Sequence, residues 1–133
     1  MIRKEIWLAL DSAESYQILD KVAGGDWGEG GCAILAFALQ MVFRGEIFCI
    51  YNSRLRQIEH FGLCTHREVF VDAGGGYCGG SDWLTGFCAD GVNRDQEDYV
   101  VVEYTVMLDN SIVINKDASA SLARLIVAKI SGV

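Results

Sequence analysis

The residue best placed for covalent chemistry in this chain is Cys32, which follows three closely spaced glycines. Gly28, Gly30 and Gly31 leave the backbone bare just before the cysteine, and an apolar segment of twelve residues runs from it to Phe43. The length and alanine content of that segment favour a helix. The first turn of a helix carries unpaired N–H groups and a partial positive charge, which favour a thiolate and can bind an oxyanion. The pattern therefore predicts a nucleophilic thiol at a helix N-terminus.

A thiolate nucleophile needs a base, and the base needs a third group to orient it. The segments Gln57–Cys64 and Glu68–Ala73 are predicted to be consecutive strands joined by the short loop Thr65–Arg67. With that loop, His60 lies directly opposite Asp72 on the same face of the sheet, with β-carbons about 5 Å apart. That separation allows a carboxylate to hold an imidazole in one tautomer. A shift of the ladder by one residue would separate the pair.

The elements around these residues set the fold class. The predicted helices are Ser12–Val22, Cys32–Phe43 and Ser119–Ile130. The predicted strands are Glu46–Tyr51, Gln57–Cys64, Glu68–Ala73 and Asp98–Leu108, and a hairpin return is predicted at Ile112–Ile114. Strands joined by short turns form an antiparallel sheet, so the predicted class is α+β. The second helix has Gln40 as its only polar residue, which indicates a buried central helix packed on the sheet. The length predicts a single domain over residues 1–133.

Glycines are expected to leave room around the proposed site. Gly62 lies two residues from His60 on the same face and leaves space for a helix end to approach the sheet. The segment Gly74–Gly80 is predicted to be a loop that passes close to the site, before a short helix that Ser81 or Asp82 could cap. This segment also matches a dinucleotide-binding glycine motif. The late helix start and the antiparallel strands disfavour that interpretation.

Composition and charge exclude several classes of function. With 51% apolar and 22% charged residues, the chain is globular and can bury a real core. Its net charge of −7 disfavours nucleic acid and anionic membrane surfaces as partners. No apolar stretch reaches the ~20 residues of a membrane helix, and the run Ile6–Leu10 is too short for a signal peptide. Five cysteines without a CxxC pair indicate reduced thiols in the cytoplasm.

A metal site is not expected. His60, Cys64, His66 and Cys78 are the residues from which a zinc site could be imagined. Residues 60 and 64 of one strand lie about 13 Å apart, whereas zinc ligands sit about 2 Å from the metal. One strand therefore cannot supply both, and the spacing fits no zinc signature. No cofactor is predicted either.

Together, these motifs resemble the papain-like cysteine hydrolases, especially the small bacterial and phage forms with the order Cys, His, Asp. The resemblance rests on the stretches Trp27–Ala36 and His60–Gly74, about a fifth of the chain. It implies a helix packed on an antiparallel sheet. It also implies Cys32 as the nucleophile, His60 as the base and Asp72 as the group that orients the base.

The resemblance also indicates where a substrate would lie. Such enzymes often carry a glutamine a few residues before the cysteine as an oxyanion donor, and this chain has none there. Backbone amides or the indole N–H of Trp27 would have to serve instead. The candidate substrate-binding residues are Trp27, Gly31 and Gly74.

The implied function is hydrolysis or acyl transfer at an amide bond of a peptide or protein. Peptidase, deamidase and acyltransferase reactions all use the same three residues, so the sequence leaves this choice open. The alternative is a catalytically inactive binding or inhibitor module, of phage type or accessory type, that uses an acidic surface such as Asp90–Asp98 to bind a protein partner. In that case Cys32 is a small buried residue and His60 a hydrogen-bonded core histidine.

Overall fold

The computed structural model of the chain describes residues 10, 12–21, 31–105, 108, 112 and 115–131. The elements are helices α1 (Ala13–Lys21), α2 (Cys32–Phe43), α3 (Gly80–Asp90) and α4 (Lys116–Ile130), and strands β1 (Glu46–Asn52), β2 (Gln57–Cys64), β3 (Val69–Asp72), β4 (Gly75–Cys78) and β5 (Tyr99–Glu103). The strands form one antiparallel sheet in the order β4-β3-β2-β1-β5. The α+β class and the antiparallel sheet are confirmed.

Alternation of side chains along the strands divides the core into two layers. Helix α2 packs on one face of the sheet, against Ile47, Cys49, Ile58, Phe61 and Leu63, and α4 packs on the outer side of α2. Helix α3 packs on the other face, where its Trp83 and Phe87 meet Ile50 of β1 and Phe70 of β3. The two faces therefore have separate apolar clusters, with the sheet between them.

Helix α2 begins and ends where the sequence predicts, and it lies between the sheet and α4. Six of its twelve residues are buried, five are half-buried, and Met41 is exposed at 52%. The buried hydroxyl of Ser119 donates to the Ile34 carbonyl at 3.0 Å and ties α4 to α2. Burial of an almost wholly apolar helix requires such a cover on its outer side.

The turn between β2 and β3 lies one residue later than predicted. The Thr65 carbonyl accepts from the Glu68 N–H, and the Thr65 N–H donates to Val69, both at 2.9 Å. Glu68 has a φ of 61°. This is the three-residue hairpin in which a turn is followed by a residue in the left-handed conformation.

This later turn moves the strand pairing by two residues. Cys64 pairs with Phe70, so the ladder places Asp72 opposite Gly62 and the predicted direct pairing with His60 is wrong. Because side chains alternate with a period of two, an even shift keeps Asp72 and His60 on the same face. They are diagonal neighbours, a separation that long side chains can bridge.

The segment predicted as a glycine loop contains a strand. After a two-residue turn, β4 pairs with β3 from Asp72–Gly75 to Val69–Cys78. Glycine disfavours strands, but pairing with an existing neighbour outweighs that local preference. The antiparallel pairing also lacks the parallel βαβ unit that a dinucleotide site needs.

The ends of three further elements differ from the prediction. Helix α3 starts at Gly80 after Gly79, which has a φ of 98°, so neither Ser81 nor Asp82 caps it. Helix α4 starts earlier than predicted because the Asn115 side chain accepts from the Ala118 N–H at 3.0 Å. Strand β5 ends at Glu103. The predicted return at 112–114 falls mostly outside the described residues.

No helix in the described part of the chain is long and apolar enough to cross a membrane.

Candidate functional site

The site lies where β2 extends beyond its neighbour. Strand β2 has eight residues and β3 has four, so β3 ends at Asp72 while β2 continues through His60. At His60, the edge of β2 that faces β3 is therefore unpaired. A side chain from the α2 layer can reach the imidazole past the end of the shorter strand.

Asp72 receives hydrogen bonds from three separate parts of the chain. Its Oδ2 lies 2.7 Å from His60 Nε2 and accepts from the Trp83 indole N–H at 2.9 Å. Its Oδ1 accepts from the Gly74 N–H at 2.8 Å. Burial alone would raise the pKa of Asp72, but the His60 interaction, the indole and the Gly74 amide outweigh it and lower the pKa. Asp72 is therefore a fixed, buried carboxylate.

His60 is enclosed by aromatic rings and is only 5% exposed. Its ring stacks on Phe87 at a centroid distance of 5.4 Å and lies 5.6 Å from the Trp83 ring. Burial alone would lower the pKa of His60, but Asp72 and Cys32 outweigh it and raise the pKa to about 9. The ring is accordingly an imidazolium at neutral pH, and its Nε2–H donates to Asp72.

Cys32 is the first residue of α2 and is 7% exposed. Its side chain interacts with the His60 ring and contributes to the raised pKa of that ring. Within the described residues, His60 Nδ1 is the one buried side-chain nitrogen or oxygen that has no hydrogen-bond partner. Because Asp72 occupies Nε2, Nδ1 is the nitrogen left for the sulfur. The structure thus brings the three predicted catalytic residues into one cluster.

Trp83 is the site residue that sequence reasoning missed, since a tryptophan in an apolar helix is most often only a core residue. It is fully buried and stacks on Phe70 at 5.1 Å while its N–H reaches Asp72. A β-carbon on Gly62 would lie 2.6 Å from Trp83 Cζ2. The space at Gly62 therefore admits α3 through Trp83, and not the helix that carries Cys32. Gly62, on the same face as His60, was the signal in the sequence that a large side chain packs next to the site.

The three candidate substrate-binding residues have different outcomes. Gly31 is buried directly before α2, and its carbonyl accepts from Leu35 N–H at 3.0 Å. Gly74 is exposed, and its N–H holds Asp72. Trp27 lies outside the described residues. The described positions therefore place Gly31 and Gly74 at the edges of the cluster.

No three His, Cys, Asp or Glu side chains in the described ranges are arranged to hold a metal ion. His66 is exposed in the β2–β3 turn, and Cys78 is exposed on β4. The four residues considered above as zinc ligands are therefore not arranged as a metal site.

The arrangement suits one kind of chemistry. A thiol at a helix N-terminus faces an imidazolium, and a buried carboxylate holds the other ring nitrogen. This set can supply a nucleophile and a proton donor at the same point. Comparison of the chain with known protein families, with curated proteins and with solved structures finds no match.

Proposed function

We propose that this chain is a papain-like thiol hydrolase or acyltransferase that acts on an amide bond of a peptide or protein. The observation that carries the proposal is the 2.7 Å contact between Asp72 and His60, with Cys32 interacting with the same ring. Burying an imidazole nitrogen without a hydrogen-bond partner is costly, and His60 Nδ1 has no such partner within the described residues. The group that would serve this nitrogen is the Cys32 thiol at the start of α2, which interacts with the same ring.

In the first half of the reaction, the Cys32 sulfur attacks the amide carbonyl carbon as a thiolate. A carbon–sulfur bond forms, and the carbonyl electron pair moves to the oxygen. The imidazolium of His60 then gives its Nδ1 proton to the amide nitrogen as the carbon–nitrogen bond breaks. The amine leaves, a thioester on Cys32 remains, and His60 is neutral.

In the second half, water or an amine attacks the thioester carbon. Neutral His60 takes the proton of the incoming nucleophile, and the carbon–sulfur bond breaks to return the thiolate. Attack by water completes hydrolysis, and attack by an amine completes acyl transfer. Asp72 keeps its hydrogen bond to Nε2 throughout and stabilises the imidazolium each time it forms.

The start of α2 offers donors for the oxyanion. The first backbone N–H groups of a helix have no partner within the helix. Gly31 precedes them and contributes no side-chain hydrogen bond. These amides, next to the Cys32 sulfur, are where an oxyanion formed on the attacked carbonyl would bind.

Mapping of cysteine alkylation tests the proposal. We expect limiting iodoacetamide at about pH 6 to modify Cys32 faster than the exposed Cys78, because only a thiolate reacts well. Cys49 is the internal control, since it is fully buried on the same sheet and burial raises its pKa to about 12. His60→Gln should slow the modification of Cys32 by about tenfold or more and leave Cys78 unchanged.

The opposite pattern would overturn the proposal. If Cys32 reacts as slowly as Cys49, and if His60→Gln has no effect, the thiol is an ordinary core residue. Mass spectrometry of the intact protein with activated acyl esters adds a direct check, because a working site forms a thioester on Cys32 and releases it with time.

The second candidate is an inactive module that binds a protein through its acidic surface. The observation that favours it is the 7% exposure of Cys32, which leaves little of the sulfur open to a bulky substrate. Several acidic residues around the end of α3 are exposed, namely Asp90, Asp95 and Glu97. This candidate predicts no thioester on Cys32 and salt-sensitive binding to a basic protein.

A further inference from the structure

A β-bulge lies directly before His60. Strands β1 and β2 pair regularly from Glu46–Cys64 to Ile50–His60, but Tyr51 then pairs with Ile58. Glu59 is therefore the extra residue on β2. A bulge of this kind bends the strand and changes the direction of the side chains around it.

The bulge determines which face each neighbour of His60 occupies. Ile58 is buried in the cluster under α2 and α4, and Phe61, three positions later, belongs to the same cluster. Strict alternation would put residues three apart on opposite faces. Without the extra residue, Ile58 would leave its apolar cluster and the carboxylate of Glu59 would enter it.

Two side chains from other strands of the sheet hold the bulged residue. Asn52 of β1 donates its Nδ2–H to Glu59 Oε2 at 2.6 Å, and the Tyr99 hydroxyl of β5 donates to Oε1 at 3.3 Å. Asn52 is buried, and its Oδ1 accepts from the N–H groups of Arg54 and Leu55. Side chains of three strands therefore meet at the Glu59 carboxylate. We name Asn52, Glu59 and Tyr99 the bulge cluster.

The bulge cluster also adjoins the wall of the site. The Tyr99 ring makes an edge contact with Phe87 at 5.3 Å, and Phe87 stacks on His60. Burial, followed by the nearby Glu59, raises the pKa of Tyr99, so its hydroxyl stays a donor. The cluster thus supports His60 through the backbone of β2 and through the Phe87 ring.

We propose that Asn52, Glu59 and Tyr99 are positioning residues that fix the His60 ring between Asp72 and Cys32. The proposal rests on the proposed function only for the use of that ring in a reaction. The placement of the ring itself can be measured without any substrate. The bulge cluster holds the extra residue, Glu59, in place. Disrupting the cluster therefore lets the His60 ring move away from Asp72.

NMR titration of the His60 ring tests this placement in the full chain. We expect Glu59→Ala to lower the midpoint of the His60 titration by at least one pH unit, because the contact with Asp72 becomes looser. Tyr99→Phe should lower it by less, since Asn52 still holds the carboxylate. Glu59→Gln keeps the shape and an acceptor oxygen, and it should retain a midpoint close to wild type.

A matched control lies just beyond the other end of β2, in the turn to β3. The Thr65 hydroxyl accepts from Arg67 N–H and Val69 N–H, both at 3.3 Å. Thr65→Val should lower the melting temperature without moving the His60 midpoint. A purely structural role for the bulge cluster predicts the same behaviour for Glu59→Ala, and that result would overturn the proposal.

The remaining outcomes are also decisive. If Glu59→Gln moves the midpoint as far as Glu59→Ala, the charge of Glu59 and not its placement matters, and the proposal fails. If Glu59→Ala does not fold, an unchanged midpoint in Tyr99→Phe would contradict the proposal, and a lowered one would support it. Alkylation of wild-type Cys32 reports on the proposed function separately, so the two can fail independently.

Discussion

At the scale of single residues, Asp72 organises the site. Its three donors come from β2, from α3 and from the turn after β3, so the carboxylate is fixed from three directions. A buried carboxylate with three donors stays ionised and holds a proton on its imidazole partner. The protonation of His60 is therefore set by the fold and not by solvent.

The first prediction concerns this protonation. The NMR signal of the His60 ring should titrate with a midpoint at about 9. Asp72→Asn removes the charge that favours the imidazolium, so the midpoint should fall, and Cys32→Ser should lower it by less. The chain has two histidines, and His66→Gln assigns the second signal. A wild-type midpoint near 6.5 would contradict the electrostatic picture of the site.

Residue types and spacing predict Cys32, His60 and Asp72 as site residues because each has a local signal in the sequence. These signals are a helix start, a strand and a strand end. Trp83 has no such signal. Its indole reaches Asp72 only after α3 folds over the sheet, and this depends on tertiary packing that periodicity does not encode. The pairing error shows the same limit, since one residue in a turn moved the whole ladder.

At the scale of elements, the packing of α3 on the sheet depends on two glycines, which have no side chain to occupy the space. Gly62 faces the Trp83 ring, and Gly86 faces the ring of Tyr77, where an added β-carbon would lie 2.8 Å from Cε1. Large rings thus fill the spaces that glycines leave. The approach of α3 and the hydrogen bond from Trp83 to Asp72 follow from the same two positions.

The second prediction tests this packing. Gly62→Ala places a β-carbon 2.6 Å from Trp83 Cζ2, so the ring must shift and its bond to Asp72 weakens. We expect a loss of about 1–3 kcal/mol of unfolding free energy and a lower His60 titration midpoint. Gly76→Ala is the control, because the nearest atom to its β-carbon is 3.5 Å away. Equal effects of the two variants in chemical denaturation would contradict this account.

The sequence predicted β1, β2 and α2 almost to the residue because strong apolar patterns define them. It missed β4 because Gly75 and Gly76 have weak strand preference, and the strand exists only through its pairing with β3. The start of α3 was also misplaced, since Gly79 begins it through its backbone conformation and not through a capping side chain.

At the scale of the whole molecule, the buried His60–Asp72 pair links stability to pH. The folded state binds a proton on His60 up to about pH 9, whereas the unfolded chain releases it near 6.5. The stabilisation is fully present below pH 6.5 and is lost as the pH rises through 9. At acid pH, the dependence of stability on pH comes from Asp72. Because the pKa of Asp72 is lowered in the folded state, the stabilisation is lost as the pH falls through that pKa.

The third prediction follows from this linkage. The unfolding free energy of the wild-type chain should fall by roughly 3 kcal/mol between pH 6.5 and 9. His60→Gln should remove most of this slope while lowering stability at pH 6.5, and His66→Gln should change neither. Urea denaturation at several pH values measures both quantities, and a flat wild-type profile would contradict the linkage.

The position of α4 in the chain has a consequence for synthesis. Cys32, His60, Asp72 and Trp83 all belong to one stretch of sequence whose hairpins form between near neighbours, and such short-range pairing is fast. The outer side of α2 is covered by Leu122 and Ile126, which are fully buried and come from the last helix. On the ribosome, the cluster of these four residues can therefore assemble before α4 covers the apolar helix α2. A nascent chain halted ahead of Lys116 would expose that helix to aggregation or to a chaperone.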